Sequence, residues 1–275
     1  MTNNVQIGKL NPFSVNINKL NVTKNSPVRH SAPHIHDMCE IYVNLEGNVS
    51  FIVEKNIYAI KPGDIIIVKP YEYHHCIYHD DSDHLHYWIM FSADENPELF
   101  DFFINKSRGT DNLIRLPADI LERFLALCEK MTKINPSYEI SVLAVFFEII
   151  SHIAKGLDRY NVREANENLP QSVKDILNYI NKNYDSIKNI NELVSKLDIS
   201  ITTLERYFKK YLSMTPKRYL EDRKLSQACM LLRQNYSVTD ACFESGFDDY
   251  SHFIAIFKKN FGITPLKYKK NILNS

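Results

Sequence analysis

The 275-residue sequence has no net charge, no long apolar run and no paired-cysteine motif. Its 33 Lys and Arg balance 33 Asp and Glu, and 44% of its residues are hydrophobic, which excludes a disordered or collagen-like chain. The sequence contains no run of 18 apolar residues, and its opening from Met1 to Gln6 is polar, so neither a membrane span nor a signal peptide is predicted. We expect a soluble cytoplasmic protein of about two domains with no membrane partner.

The cysteines are few, odd in number and without Cys-x-x-Cys spacing. The five are Cys39, Cys76, Cys128, Cys229 and Cys242. This pattern is typical of reduced thiols that pack in a core, and it argues against a disulfide scaffold or a zinc knuckle.

The zero net charge conceals two halves of opposite sign. Residues 1–169 hold 16 Lys and Arg against 22 Asp and Glu, whereas residues 170–275 hold 17 against 11. An excess of basic residues in one half indicates that this half meets a polyanion.

Short β-branched or aromatic segments fill the first hundred residues. They begin at Glu40, Val49, Asp64 and His84. This pattern predicts a small antiparallel barrel or sandwich. From Pro117 the period becomes helical, and two apolar stripes predict a helical hairpin that covers the barrel, forms a dimer surface, or does both. The stripes are Ile120, Leu121, Phe124, Leu127, Cys128 and Met131 on the first helix, and Ile140, Leu143, Phe146, Phe147, Ile150 and Ile153 on the second.

Beyond Pro170 the chain repeats itself at a constant offset of 49 residues. Phe208 to Tyr219 aligns with Phe257 to Tyr268, and both segments contain Phe-Lys-Lys and Thr-Pro. Apolar positions repeat at the same offset, so Leu204 aligns with Phe253. Two copies of one supersecondary unit are therefore predicted.

Each copy consists of a short helix, a tight break and a longer basic helix. This is the plan of a helix-turn-helix, in which the second helix enters a DNA major groove. In the second copy, Gly246 suits a left-handed break between the two helices. In the first copy, Ser200 or Thr202 suits the N-cap of the second helix. The predicted helices run from about Asn191 to Leu197 and Ile201 to Leu212 in the first copy, and Val238 to Ser245 and Tyr250 to Phe261 in the second.

Both copies end in Thr-Pro, which suits the cap and first position of a further helix. The helix after Thr215 is predicted to run to about Gln234 and to be roughly 30 Å long. A strut of that length could hold two recognition helices near the roughly 34 Å spacing of one DNA turn.

These features resemble the C-terminal DNA-binding domain of the AraC/XylS family of bacterial transcription regulators. The segment from Ser245 to Tyr268 carries Gly-Phe, Ser-x-Phe, Phe-Lys-Lys, Gly-x-Thr-Pro and a closing Tyr, which resembles the family signature. Two departures are Ser213, where the first copy often has Gly, and Ile254-Ala255, where the second recognition helix often has Ser-Arg.

The resemblance assigns residues to the DNA. In the first recognition helix it implies base contacts by Thr202, Glu205 and Arg206, where Arg suits guanine, Glu suits cytosine N4 and Thr suits a thymine methyl. In the second helix the matching face is Tyr250, Ser251, Ile254 and Ala255, which offers few donors and favours apolar or shape reading. Phosphate contacts are expected from four basic side chains: Lys209, Lys210, Lys258 and Lys259.

The first half carries a second resemblance, to the two motifs of the cupin β-barrel. The pattern is His34-x-His36-x3-Glu40-x6-Gly47, then Pro62-Gly63-Asp64, Pro70 and His75. In metal-binding cupins the matching set of His34, His36, Glu40 and His75 holds a divalent ion. Two residues depart from the second motif: Glu72 stands where Gly is usual, and His79 stands where Asn is usual. The regulator resemblance implies a small effector, often a sugar, in place of a metal or other cofactor.

Strand alternation places His84, His86, Trp88 and Met90 on one face of a predicted strand. If that face points inward, Trp88 offers a platform for a flat ligand or sugar ring. Otherwise Trp88 is simply part of the barrel core. The predicted effector pocket is therefore His34, His36, Glu40, His75 and Trp88.

The sequence thus predicts an α+β two-domain regulator and not an enzyme. It has a cupin-like antiparallel β-barrel at 1–115, a helical hairpin at 116–160, a linker at 161–169 and an all-α double helix-turn-helix domain at 170–275. Expected partners are double-stranded DNA, a small-molecule effector, a second copy of the chain and, for an activator, RNA polymerase. Two alternatives stay open: a metal-dependent cupin enzyme fused to a DNA-binding module, and a regulator whose barrel only dimerises.

Overall fold

A computed structural model describes residues 5–6, 15–26, 35–94, 96–135, 137–162, 165–166 and 169–273. Internal contacts divide the chain into two compact units. The second unit is Asn166–Ser275 together with the short segments Pro33–His36 and Tyr73–His75, and the first unit is the remainder. All five cysteines are free, as predicted, and only Cys76 is not fully buried.

The first unit is built on two antiparallel sheets, and the strands predicted from the sequence are confirmed. The larger sheet has the order β1-β2-β8-β3-β6-β9-β10, and the smaller has the order β5-β4-β7. The strands are β1 (Val5–Gln6), β2 (Val15–Val22), β3 (Cys39–Glu46), β4 (Val49–Val53), β5 (Asn56–Ile60), β6 (Ile65–Val68), β7 (His74–Tyr78), β8 (His84–Phe91), β9 (Leu113–Ile114) and β10 (Asn161–Val162). Strand β10 lies within the segment predicted as a linker and pairs with β9.

Alternation along the central strands separates two cores. In the β3–β8 pair, Ile41 lies opposite Ile89 and Tyr42 lies opposite Trp88. Ile41 and Ile89 belong to a core shared with the helices that follow, whereas Tyr42 belongs to a core shared with Phe51 of the smaller sheet. Because side chains alternate between faces, His84, His86, Trp88 and Met90 lie on the face of Tyr42, toward the interior between the sheets.

A helical hairpin covers the outer face of the larger sheet. After a 3₁₀ turn (Pro97–Phe100) and α1 (Asp101–Ile104), the hairpin consists of α2 (Ala118–Lys133) and α3 (Glu139–Arg159). By length and composition α3 could cross a membrane, but its buried residues pack in the sheet–helix core, as expected of a core helix in a folded domain. The buried members of the two predicted stripes are Phe124, Cys128, Met131, Phe146, Ile150 and Ile153.

A buried ion pair explains one of the departures from the cupin motif. The Glu72 carboxylate lies 3.2 Å from the Lys106 ammonium, and the two side chains are 0% and 5% exposed. Glu72 also accepts hydrogen bonds from the backbone N–H of Gly109 (2.7 Å) and from the Asn112 amide (3.1 Å). Glu72 therefore fastens the loop after β6 to the segment that leads into β9, a task that a glycine could not perform.

The second unit is helical, and the predicted duplication is confirmed. Leu204, Phe208, Phe253 and Phe257 are buried as predicted. Tyr219 packs edge-on against Phe208, with ring centroids 5.5 Å apart, and Tyr268 packs in the same way against Phe257 at 5.3 Å. The helices are α4 (Gln171–Asn183), α5 (Ile190–Leu197), α6 (Ile201–Leu212), α7 (Pro216–Arg233), α8 (Val238–Glu244), α9 (Tyr250–Phe261) and α10 (Pro265–Leu273).

The two copies differ in the residue that ends the recognition helix. Ser213 ends α6 with φ 55°, and Gly262 ends α9 with φ 71°, so both lie in the left-handed region. A side chain in this region costs about 1–2 kcal/mol, which glycine avoids. Ser213 is therefore strained, whereas Gly262 is not.

Exchanging these two residues should change stability in opposite directions. We expect Ser213→Gly to raise the free energy of unfolding by about 0.5–1 kcal/mol, because relief of the backbone strain exceeds the extra freedom gained by the unfolded chain. Gly262→Ser should lower it by a similar amount, since an added Cβ meets no atom of the described residues within 4 Å and only the backbone responds. Urea unfolding of the full chain measures both changes, and two changes of the same sign would contradict the explanation.

Candidate DNA interface and barrel interior

In the first helix-turn-helix unit, α5 and α6 are joined by a tight left-handed break. Asn189 caps α5 by accepting from Glu192 N–H, Asp198 then takes φ 51°, and Ser200 caps α6 by accepting from Thr203 N–H. Of the two predicted caps, Ser200 is the one used. With Leu204 and Phe208 turned into the core, α6 exposes the five predicted DNA-contacting residues: Thr202, Glu205, Arg206, Lys209 and Lys210.

The second unit repeats this arrangement, but the break between its helices lies closer to a neighbouring backbone segment. Gly246 has φ 87° as predicted, and a Cβ at this position would lie 2.4 Å from backbone atoms of Asp185, so no other residue fits. Asp249 caps α9 by accepting from His252 N–H. Tyr250, Ser251, Ala255, Lys258 and Lys259 are exposed, whereas the predicted base-contacting residue Ile254 is half-buried.

His252 is a candidate DNA-contacting residue that the sequence reasoning missed. It is exposed in the first turn of α9, next to Ser251. Its Nε2 atom lies 3.9 Å from a Glu221 carboxylate oxygen, which is too long for a hydrogen bond. The sequence feature that could have identified His252 is its position two residues after Tyr250, at the N-terminal end of the recognition helix. The second helix therefore offers more donors than its Ile254-Ala255 pair suggested.

Helix α7 braces the two units from inside. Its 18 residues correspond to about 27 Å, and Thr215 caps it as predicted by accepting from Arg218 N–H. Arg218 donates from Nε to Asp222 (2.7 Å) and from Nη2 to the Asn260 side chain of α9 (2.6 Å). Burial raises the pKa of Asp222 to about 7, an effect that Arg218 opposes.

The interior between the two sheets is polar around Tyr42. The rings of His84 and His86 stack at 4.8 Å, His86 stacks on Tyr42 at 4.7 Å, and the Tyr42 hydroxyl is hydrogen-bonded to His84 Nε2. Burial lowers the pKa of His86 to about 3, with a further contribution from His84, so His86 is neutral at physiological pH.

Several buried polar atoms in this interior have no hydrogen-bond partner among the described residues. They are Asn18 Oδ1, both side-chain amide atoms of Asn44, and His86 Nδ1. Buried polar atoms are normally paired with protein, water or ligand. Asn18 and His86 flank Trp88, since Asn18 lies opposite it on β2 and His86 precedes it by two residues. Trp88 itself is half-buried on the inward face.

The predicted metal-ligand residues are divided between the two units. His34 lies outside the described residues, and Glu40 is buried in β3 of the first unit. His36 belongs to the second unit, where its ring packs edge-on against that of His74 with the centroids 4.7 Å apart. His75 is buried in the second unit, and burial and the charge of His74 lower its pKa to about 4.

Known proteins share both halves of the chain. A model of the AraC-like ligand binding domain matches residues 22–150, and a helix-turn-helix domain model matches residues 193–271. The HTH-type transcriptional activator RhaS of Yersinia pestis (strain Pestoides F) is 24% identical over 262 residues, covering 92% of this chain and 94% of the relative. RhaS of Mannheimia succiniciproducens is 23% identical over 237 residues, covering 84% and 87%.

The chain is also similar to proteins of known structure. ToxT from Vibrio cholerae O395 is 16% identical, with 96% of this chain and 99% of that chain covered and a TM-score of 0.38. The C-terminal domain of the response regulator yesN from Fusobacterium nucleatum is 31% identical over 36% of this chain and 99% of its own, with a TM-score of 0.35. Both TM-scores lie below 0.5, so the family assignment rests on the sequence matches. This chain thus combines an AraC-like ligand-binding domain with a helix-turn-helix domain, and its similarity to the RhaS activators extends over most of its length. It is a transcription regulator of the AraC/XylS family.

Proposed function

We propose that the protein binds duplex DNA in a sequence-specific manner, with α6 and α9 in two successive major grooves. The observation that carries this proposal is the duplication itself: two capped helices with exposed outer faces, joined by one continuous helix. The length of α7, about 27 Å, is compatible with recognition helices spaced near the roughly 34 Å of one DNA turn.

Within this arrangement the two recognition helices have different tasks. Arg206 can donate two hydrogen bonds to guanine, Glu205 can accept from cytosine N4, and Thr202 can contact a thymine methyl. On α9, Ser251 and His252 supply donors, while Tyr250 and Ile254 supply apolar contacts. The outward lysines of both helices bind phosphates: Lys209, Lys210, Lys258 and Lys259.

Replacing the central arginine of α6 should reduce both affinity and selectivity. We expect Arg206→Ala to cost about 1–3 kcal/mol on the preferred duplex and to relax the choice at one base pair. Lys209→Ala should instead weaken binding to all duplexes alike and lower the slope of log affinity against log salt by about 1. Fluorescence anisotropy on preferred and scrambled duplexes measures both variants.

Lys182→Ala is the matched control, because Lys182 is exposed on α4 in the same unit and outside the recognition helices. It should bind like the wild type. If Arg206→Ala lost equal affinity on preferred and scrambled DNA, Arg206 would contact phosphate only, and its role in base reading would be wrong.

We further propose that the barrel interior binds a small polar effector, with a carbohydrate as the favoured class. Three features support this: the aromatic face of Trp88, the amide atoms of Asn44 and the Asn18 oxygen, and the Nδ1 of His86, where none of these polar atoms has a partner among the residues that the structure describes. Sugar hydroxyls would satisfy these atoms, and the sugar ring would lie on the indole. Glu40 is buried on the same strand as Tyr42 and Asn44, whereas the roles of His34, His36 and His75 stay predictions.

Trp88 is the single tryptophan of the chain, so its fluorescence reports on this interior directly. We expect a monosaccharide of the correct type to shift its emission and to raise the melting temperature of the full chain by about 5–10 °C at 100 times Kd. Asn44→Ala should abolish both effects. A shift produced by Ni²⁺ or Mn²⁺ but by no sugar, and lost in His36→Ala, would favour a metal-binding barrel and contradict the sugar proposal.

The outer edge of the hairpin supports a homodimer. Ile140 is 85% exposed, and Leu143 and Phe147, on the same stripe of α3, are only half-buried. Such a stripe is better covered by a second copy than left in water. In the cytoplasm a dimer would present four recognition helices to DNA, and RNA polymerase becomes a further partner if the protein activates transcription, as its curated relatives are named to do.

The dimer is tested by a charge on the exposed stripe. We expect the wild type to sediment as a dimer at micromolar concentration and Ile140→Asp or Leu143→Asp to sediment as a monomer, because an aspartate in an apolar interface is unpaired. Ser141→Asp, exposed on the adjacent position but off the stripe, is the control and should remain a dimer. A wild-type monomer unchanged by Leu143→Asp would remove the dimer.

A further inference from the structure

A cavity of about 300 Å³ lies between the two helix-turn-helix units. One wall is the start of the first unit, at Lys188 and Asn189; another is α7; the third is the break and first turn of the second unit. The α7 wall carries Lys217, Glu221 and Lys224. Both units and the helix that joins them therefore contribute to one depression.

The Lys224 ammonium lines this cavity, where it lies 5.9 Å from the centroid of the Phe247 ring and uses two of its three N–H donors. It is 7% exposed and donates to the carbonyl oxygens of Ile187 (2.8 Å) and Gly246 (2.6 Å). An ammonium carries three donors, and within the part of the chain that the structure describes the third has no acceptor. A buried charged group with an unused donor favours an anion in the adjacent space.

The rim of the cavity is basic and its cations are available. Lys188 is exposed, and its ammonium has no ion-pair partner among the described residues. Lys217 is 72% exposed and lies 3.8 Å from Glu221, a loose contact in water-exposed surroundings. Three lysines and two acidic residues, Glu221 and Asp248, line the cavity, so the lining itself carries a net positive charge even with His252 neutral, while Asp185 and Glu192 act on Lys224 from outside the lining.

The location of the cavity suggests what the anion is. In a helix-turn-helix the first helix crosses the DNA backbone while the second enters the major groove. The rim here is formed by the residues that precede α5 and by the first turn of α9. With α6 and α9 in successive grooves, the backbone between those grooves would pass this part of the surface.

We propose that this cavity receives a phosphate of the DNA backbone between the two major grooves, held by Lys188 and Lys217 at the rim and by the remaining Lys224 donor within. The proposal rests on the proposed DNA binding and adds a contact that belongs to neither recognition helix. It makes the joint between the units a part of the interface, so that the DNA is held at three places.

The test is a double-mutant cycle between protein and DNA in the full chain. Lys188→Ala, Lys217→Ala and the double variant are paired with duplexes in which one phosphate between the two recognition sites is a neutral methylphosphonate, scanned along both strands. We expect each single variant to weaken binding severalfold and to lower the salt slope by about 1. At one position of the scan the neutral linkage should weaken wild-type binding but leave the double variant unchanged.

Lys182→Ala is again the matched control, and circular dichroism checks that the variants fold, as expected for exposed positions. If the double variant keeps the wild-type salt slope while Arg206→Ala still loses selectivity, this inference is wrong and the proposed function stands. If no duplex binds the wild type, the proposed function itself fails.

A second measurement distinguishes the DNA backbone from a small phosphorylated ligand. Melting temperatures are recorded with inorganic phosphate and with sulfate at constant ionic strength. A shift specific to phosphate that disappears in the double variant, combined with an unchanged salt slope on DNA, would overturn the backbone assignment in favour of a small phosphate compound. No specific shift, combined with a reduced slope on DNA, is the expected result.

Discussion

The spacing of the two helix-turn-helix units depends on one buried ammonium group. Lys224 joins the carbonyl oxygen of Ile187, just before the first unit, to that of Gly246, in the break of the second. Burying an ammonium is expensive unless its donors are used, so these two carbonyls must stay within reach of it. Gly246 makes the approach possible, because any Cβ there would collide with the backbone of Asp185. Buried contacts of Lys224 and Gly246 thus fix the relative position of the two recognition helices.

Much of the helical unit could be predicted from the sequence because its signals are local. A cap such as Ser200, a Thr-Pro pair such as Thr215-Pro216 and a glycine such as Gly246 each act within a few residues of themselves. The 49-residue repeat then supplied a second copy of every signal. The helix bounds accordingly agree with the prediction to within one or two residues.

The parts that could not be predicted depend on contacts between distant segments. The role of Glu72 depends on Lys106 and Gly109, which lie near it only in the folded barrel. From the sequence alone, Glu72 could be recognised only as a departure from the cupin motif. In strand β7, adjacent residues point to opposite faces, and the sequence alone could not decide which of His74 and His75 points to which face. The half-burial of Ile254 and the exposure of His252 could not be predicted either, since the rotation of α9 about its axis is set by its packing.

The burial of α7 has a consequence for how this half of the protein folds. Buried residues lie on all sides of α7. One of them, Tyr219, packs against Phe208 and completes the core of the first copy. Neither copy owns a complete core, because α7 packs against α6 on one side and against α8 and α10 on the other. The two copies therefore cannot unfold one at a time as independent repeats do. A destabilising substitution in the interior of either copy would therefore disrupt both recognition helices at once. The duplication gives the two copies a shared, cooperative stability, and one copy cannot substitute for the other.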